Sequence, residues 1–325
     1  MKGVLVLVFS CVAHWAFAQD VHWTQFNDNP IYQNPGQAGH FDEDLRFCAN
    51  YRTQWKSVSV PFQTTALSFD GRFKGIGLAT NLFHDQVGDG KFQTLEWQLS
   101  ASKTLAITQQ HLLSVGLQAG LNYRQLNSAA LTFDAQYNGF VFDPTAPTNE
   151  YFQTASMCKP MLGFGLIHRY QLLPDLQLES GLGLFNLTRP DQSFYGNPLH
   201  RDVRVNLYSK LSIPLIDGWK LQPSLQYAVQ GKYRELQLGA LANYCFSRPD
   251  HIYLFAGAWW RSADAFCLNF GYQRGSIYTG ISYDINYSSL VPASHSRGAF
   301  ELSFRYVIRR FHPPTLIHRV CPDYI

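Results

Sequence analysis

The chain has 325 residues, 46% hydrophobic and 15% aromatic but only 15% charged, with a net charge of +3. No stretch beyond residue 18 approaches the roughly 18 consecutive apolar residues of a membrane helix. No basic run or stripe stands out for nucleic acid, and the reading is of a chain that binds none. Mean hydropathy of -0.16 reads as soluble, yet so few charges beside so many aromatics do not. A transmembrane β-barrel reconciles the two, since one face of each strand meets lipid and the other a polar lumen.

The N-terminus opens with Lys2, an apolar run from Val4 broken by Ser10 and His14, and the small-x-small triplet Ala16-Phe17-Ala18. This pattern predicts a signal peptide over 1–18 and export from the cytoplasm, with the mature chain starting at Gln19. Residues 19–43 are rich in Asn-Pro and Pro-Gly pairs, at Asn29-Pro30 and Asn34-Pro35-Gly36, which force turns and exclude a strand. Trp23, Phe26 and Tyr32 give this stretch something to pack with. It is expected to be a periplasmic N-terminal segment, either a lead-in to the first strand or a piece that folds into the barrel mouth or meets a periplasmic partner.

From residue 44 to 309 the pattern has a period of two. Leu95, Trp97, Leu99 and Ala101 alternate with Glu96, Gln98, Ser100 and Ser102, and Phe300, Leu302, Phe304 and Tyr306 alternate with Glu301, Ser303 and Arg305. Each such segment has one apolar and one polar face. Turn signals divide the region into segments near 44–52, 62–73, 74–84, 91–104, 110–124, 157–171 and 176–187, then 202–213, 218–230, 233–246, 251–261, 265–274, 276–287 and 299–309. These make about fourteen strands, mostly longer than the roughly 9–11 residues that cross a bilayer when tilted. The fold class is therefore all-β, a transmembrane antiparallel barrel with short periplasmic turns and longer extracellular loops.

The connections carry the orientation. Lys74-Gly75, Leu173-Pro174-Asp175, Asp217-Gly218, Arg248-Pro249-Asp250 and Arg274-Gly275 are tight, whereas 125–156, 188–201 and 288–298 are long; 231–232 and 261–264 break the rule. Trp55, Trp97, Trp219, Trp259 and Trp260 are candidates for the aromatic girdles at the membrane surfaces. A tail spans 310–325. Of six cysteines, Cys11 leaves with the leader, and Cys48, Cys158, Cys245, Cys267 and Cys321 form no disulfide framework or C-x-x-C metal site.

No catalytic, cofactor or metal constellation emerges. His84-Asp85 beside Asp89 reads as a turn of solvated residues, and His168 and His251 sit at strand ends with no Cys or carboxylate at ligand spacing. Gly75-Ile76-Gly77, Gly163-Phe164-Gly165 and Gly181-Leu182-Gly183 do not continue to a phosphate-binding loop and read as small residues in strands. A barrel hydrolase would need a Ser or Asp paired with His across adjacent strands. A diffusion channel or small-molecule transporter would line its path with lumen residues such as Glu96, Gln98, Arg204 and Lys210.

Several motifs together resemble the PorP/SprF-type outer-membrane proteins of the type IX secretion and gliding system. They are Asn29-Pro30, Asn34-Pro35-Gly36-Gln37-Ala38-Gly39, Tyr51-Arg52-Thr53-Gln54-Trp55, Pro61 to Thr65, Gly75-Ile76-Gly77-Leu78 with Asn81, and Asp85 to Gly88. At the other end stand Gly280 to Asn286 with Tyr283 and Asp284, Ser289-Leu290, Pro292-Ala293-Ser294, and Arg297-Gly298-Ala299-Phe300-Glu301-Leu302-Ser303. Gln37 departs from the family's usual aromatic. The resemblance implies a non-enzymatic barrel in the bacterial outer membrane, with lipid, secretion-machine components and secreted adhesin-like surface proteins as partners. The motif residues Asn34, Pro35, Ala38, Gly39, Tyr51, Arg52, Gln54, Trp55, Tyr283, Asp284, Asn286, Pro292, Ala293, Ser294, Gly298 and Glu301 are then either structural or partner-binding.

Overall fold

The computed structural model describes residues 20–308 apart from 42, 57–59, 89–91, 129–130, 217 and 290. The expected signal peptide, the tail with Cys321, and Asp89, Asp217 and Leu290 lie outside the described residues. Fourteen strands follow one another: β1 Leu45–Gln54, β2 Phe62–Phe73, β3 Ile76–Val87, β4 Phe92–Ala106, β5 His111–Gln125, β6 Ser156–Leu173 and β7 Leu176–Phe185. The second half has β8 Arg204–Pro214, β9 Trp219–Gln230, β10 Tyr233–Ser247, β11 Ile252–Arg261, β12 Ala265–Arg274, β13 Ile277–Asn286 and β14 Arg297–Ile308. The largest shift from the sequence reading is at β3, expected to end at 84 and ending at Val87.

Every neighbour is antiparallel, and β1 pairs with β14 from Leu45↔Ile308 to Gln54↔Ala299, closing the sheet. Closure leaves no row of unpaired backbone groups, which hydrocarbon would not tolerate. Burial is inverted relative to a soluble protein: Leu67, Leu99, Leu117, Ile281 and Leu302 are exposed on the outer face, while Asn81, Gln98, Asn122, Gln237 and Asn269 are buried inside. The fold is that of an outer-membrane barrel.

One end carries only short connections, and the other carries the long ones together with the short turns 231–232 and 262–264. In the β2–β3 turn, Lys74 and Gly75 both have positive φ, at 49° and 76°, as a two-residue hairpin of matching twist requires. The same end carries the turns at 174–175 and 275–276, and the opposite end carries 126–155, 186–203 and 287–296.

Two expectations need correction. Trp97, Trp219 and Trp260 are exposed on the outer wall, but Trp259 is only 4% exposed and faces the interior, because consecutive strand residues point to opposite sides. His84 and Asp85 belong to β3 and not to a turn, and Asp85 accepts a hydrogen bond from Thr64 Oγ1 at 2.7 Å. Cys48, Cys158, Cys245 and Cys267 are free thiols.

Candidate functional site

The interior of the barrel is occupied by the chain's own N-terminal segment. Between Asp20 and His40 it forms two 3-10 turns and the one-turn helix α1 (Pro30–Gln33), and most of its residues are buried. Strand polarity orients it: Thr24 meets the ends of β1 and β13 at the long-loop end, and Gly39 meets β2 at the short-turn end.

Near the long-loop end the segment is fixed through Thr24. Its hydroxyl donates to Asp284 Oδ1 at 2.7 Å and accepts from Arg261 Nη2 at 2.7 Å and Arg52 Nη1 at 3.0 Å. That uses the one donor and both acceptor positions a hydroxyl has. Glu301 takes the backbone N–H of Thr24 on one oxygen, at 2.7 Å, and that of Gln25 on the other, at 2.9 Å. Arg52 pairs with Glu301 and with Asp284, and Arg261 reaches Asp284 at 2.9 Å. Two cations and two carboxylates thus neutralise one another with side chains no more than 3% exposed, the condition under which buried charge is tolerated. Asp284 is aimed inward at a register shift, where Gly298 lies against its backbone and a Cβ would collide.

A second anchor holds Asp20. Arg201, from the β7–β8 loop, turns into the mouth and bridges Asp20 and Glu96 at 2.6 Å each. Burial alone would raise the Asp20 carboxyl, but Arg201 and Arg204 hold it down at about 2. Burial pushes the His22 imidazole well below its ordinary value, and Arg261 and Arg52 push it further. Its Nε2 lies 3.2 Å from Arg52 Nη2, a position in which the ring nitrogen accepts from the guanidinium.

Towards the short-turn end the contacts are backbone-close. Asn34 caps the following turn by accepting from Gly36 N at 2.8 Å, and its Nδ2 donates to the Leu166 carbonyl at 3.1 Å. Pro35 occupies the first position of that turn, where a missing N–H costs nothing. Gly77, Gly116, Gly165 and Gly183 lie against Ala38, Gly36, Asn34 and Gln33, and a Cβ on any of them would strike the segment. The second glycine of each G-x-G pair, Gly77, Gly165 and Gly183, thus marks where the wall makes room for the segment, whereas Gly75, Gly163 and Gly181 lie against other parts of the wall. Gly39 N donates to Asp70 at 2.8 Å, and Arg46 pairs with the same carboxylate at 2.8 Å.

Apolar packing fills the rest. Phe26 meets Trp259 edge-on at 6.2 Å with Cys267 and Ala265 around them, and Tyr32 stacks on Phe83 at 5.5 Å. Gln33 donates to Gln226, Gln37 to Glu179, and Gln237 to the Thr24 carbonyl; Ser102 donates to the Ala38 carbonyl. With Arg204 on the Tyr32 carbonyl, the segment touches every one of the fourteen strands.

Of the motif residues, Asn34, Pro35, Ala38 and Gly39 are in the segment, and Arg52, Asp284 and Glu301 are its main charged holders, with Gln54 beside Arg52 at 3.4 Å. Tyr51 and Tyr283 instead face outward and are exposed. Asn286 shapes the β13–β14 loop by accepting from Ser288 N and Oγ at 2.7 Å. Pro292, Ala293 and Ser294 form the short helix α2 (Val291–Ser294) of that loop. Trp55 lies at the mouth against Phe62. Thr24, Arg261, Asp20 and Arg201 were not singled out by sequence; an Arg on the polar face of a strand is the signal that Arg261 offered. Glu96, Gln98, Arg204 and Lys210 do face inward, but they bond to the segment, to one another or to Arg201 and Glu179 rather than lining a free path.

A serine, a histidine and a carboxylate do meet: Ser114 Oγ is 3.3 Å from His40 Nδ1, and His40 Nε2 is 3.6 Å from Glu179. The second distance is too long for a hydrogen bond, Glu179 is already held by Lys210 at 3.0 Å, and all three residues are buried between the segment and the wall. The arrangement lacks the oriented base of a nucleophilic site. No group of metal-ligating side chains occurs among the described residues.

A family model described as type IX secretion system membrane protein PorP/SprF matches residues 16–306. No curated protein matches the chain. Among solved structures, the Ralstonia pickettii toluene transporter TbuX is 12% identical, with a TM-score of 0.54 over 88% of this chain and 94% of that one. The Pseudomonas putida toluene transporter TodX is 10% identical, with a TM-score of 0.54 over 89% and 93%, and the monoaromatic hydrocarbon channel CymD is 11% identical, with 0.54 over 88% and 94%. At such identities the likeness concerns the fold alone.

Proposed function

The chain belongs to the family of type IX secretion system membrane proteins PorP/SprF, and from that premise we propose that it helps secrete or anchor surface proteins as a closed scaffold, not as a solute channel. The observation that carries this reading is the N-terminal segment, whose contacts with every strand fill the lumen a diffusing solute would need. Long loops at one end offer surface for a large partner outside the cell, and the short turns face the machinery inside. Adhesin-like cargo and periplasmic components of the secretion and gliding machine are the partners this arrangement suits.

The test is to isolate the protein from outer membranes in mild detergent and identify what accompanies it by mass spectrometry, with conductance measured on the same preparation. Secretion-machine components or a large surface protein in the complex are expected, with no steady conductance. A protein that comes out alone and conducts ions would replace the scaffold by a channel.

A further inference from the structure

At the long-loop mouth, beside the buried segment, lies a cavity of about 540 Å³ on the inner wall of β1 to β5. Trp55 and Phe62 form one side, their rings edge-on at 4.7 Å. Trp55 reaches this position with φ at 60°, a left-handed conformation uncommon for a bulky residue. On the other side the Arg124 guanidinium lies over Phe92, 4.5 Å from its centroid, and donates to Gln192 at 2.5 Å. Asp85 lines the same cavity and accepts from Thr64. Among the described residues neither Arg124 nor Asp85 has an oppositely charged partner within salt-bridge distance, whereas Asp20 and Arg201 nearby are paired with each other.

We propose that this cavity receives an extended peptide segment carrying an aromatic or large aliphatic side chain, supplied by a protein partner. An amide has a C=O for Arg124 and an N–H for Asp85, and the side chain fits between the rings. A hydrocarbon would cover both charges and offer neither a further polar partner, which is costly. The volume lies in the roughly 300–1,000 Å³ range of sites for small ligands, so a terminus or loop enters, not a folded domain. The inference rests on the scaffold reading, since it names what part of a partner the barrel holds.

The test uses the full chain in detergent and saturation-transfer NMR with three probes: acetyl-Gly-Phe-Gly-amide, acetyl-Gly-Ala-Gly-amide and toluene. Transfer to the phenyl ring is expected, with little to the alanine peptide and no displacement by toluene. Trp55→Ala and Arg124→Gln should each weaken the phenylalanine peptide about tenfold, with Asp85→Asn weakening it less. Each variant's heat-dependent migration on a gel reports that the barrel is folded. Absence of binding to the native protein, equal binding by folded Trp55→Ala and Arg124→Gln, or displacement by toluene would overturn the assignment. Peptide binding with no co-isolating surface protein would sink the scaffold reading and leave the cavity's specificity standing; the reverse result would do the opposite.

Discussion

Thr24 commits its whole hydroxyl to three charged partners, so it is a sharper probe of the segment than any of the arginines. Thr24→Val keeps the shape and strands two guanidinium donors and a carboxylate in a dry site. It should cost about 1–3 kcal/mol for each group left unmet, read from urea unfolding in lipid vesicles, and Thr24→Ser should recover most of the loss. Equal stability of the valine variant would mean that water replaces the hydroxyl. The wall glycines give a steric counterpart. Gly116→Ala and Gly165→Ala should each destabilise by about 1–3 kcal/mol through overpacking. Gly196→Ala, whose Cβ would meet a side-chain oxygen at an ordinary 3.6 Å, should be neutral. At this scale the alternation placed Glu301 on the polar face of its strand, while Arg52 and Asp284 stood out only as motif residues, and no partner was given for any of them.

At the scale of elements, the strands were legible because lipid on one side and a polar interior on the other impose a period of two over long runs. The N-terminal segment was not. Its turn-rich, aromatic sequence suits a lead-in as well as a plug, and the choice depends on surfaces up to 278 residues away, as between Gln25 and Ser303. Deleting residues 20–40 should convert a silent barrel in planar bilayers into one with steady ion conductance. If the deleted form is folded and still silent, some other element closes the lumen.

For the molecule as a whole, strand polarity and loop length predict that the long loops face outside the cell. Phe140, at the tip of the β5–β6 loop, is 97% exposed. In a Cys158→Ser background, which removes the one thiol exposed among the described residues, Phe140→Cys should react with a membrane-impermeant maleimide on intact cells. Lys74→Cys, in a short turn, should react only after the outer membrane is opened. The opposite pattern would invert the topology and move the peptide cavity to the periplasmic side.

The sequence by itself determined the barrel, its fourteen strands, the inward and outward faces and the family, because each follows from local periodicity, turn chemistry or contiguous motifs. The tertiary structure alone decided that Trp259 packs inside against Phe26, that the second glycine of each G-x-G pair receives the segment, and that motifs from both ends of the chain meet at Thr24. The physical reason is closure. Joining β1 to β14 brings Arg52 level with Glu301 across the seam, and no local pattern records which polar side chains will share the enclosed space.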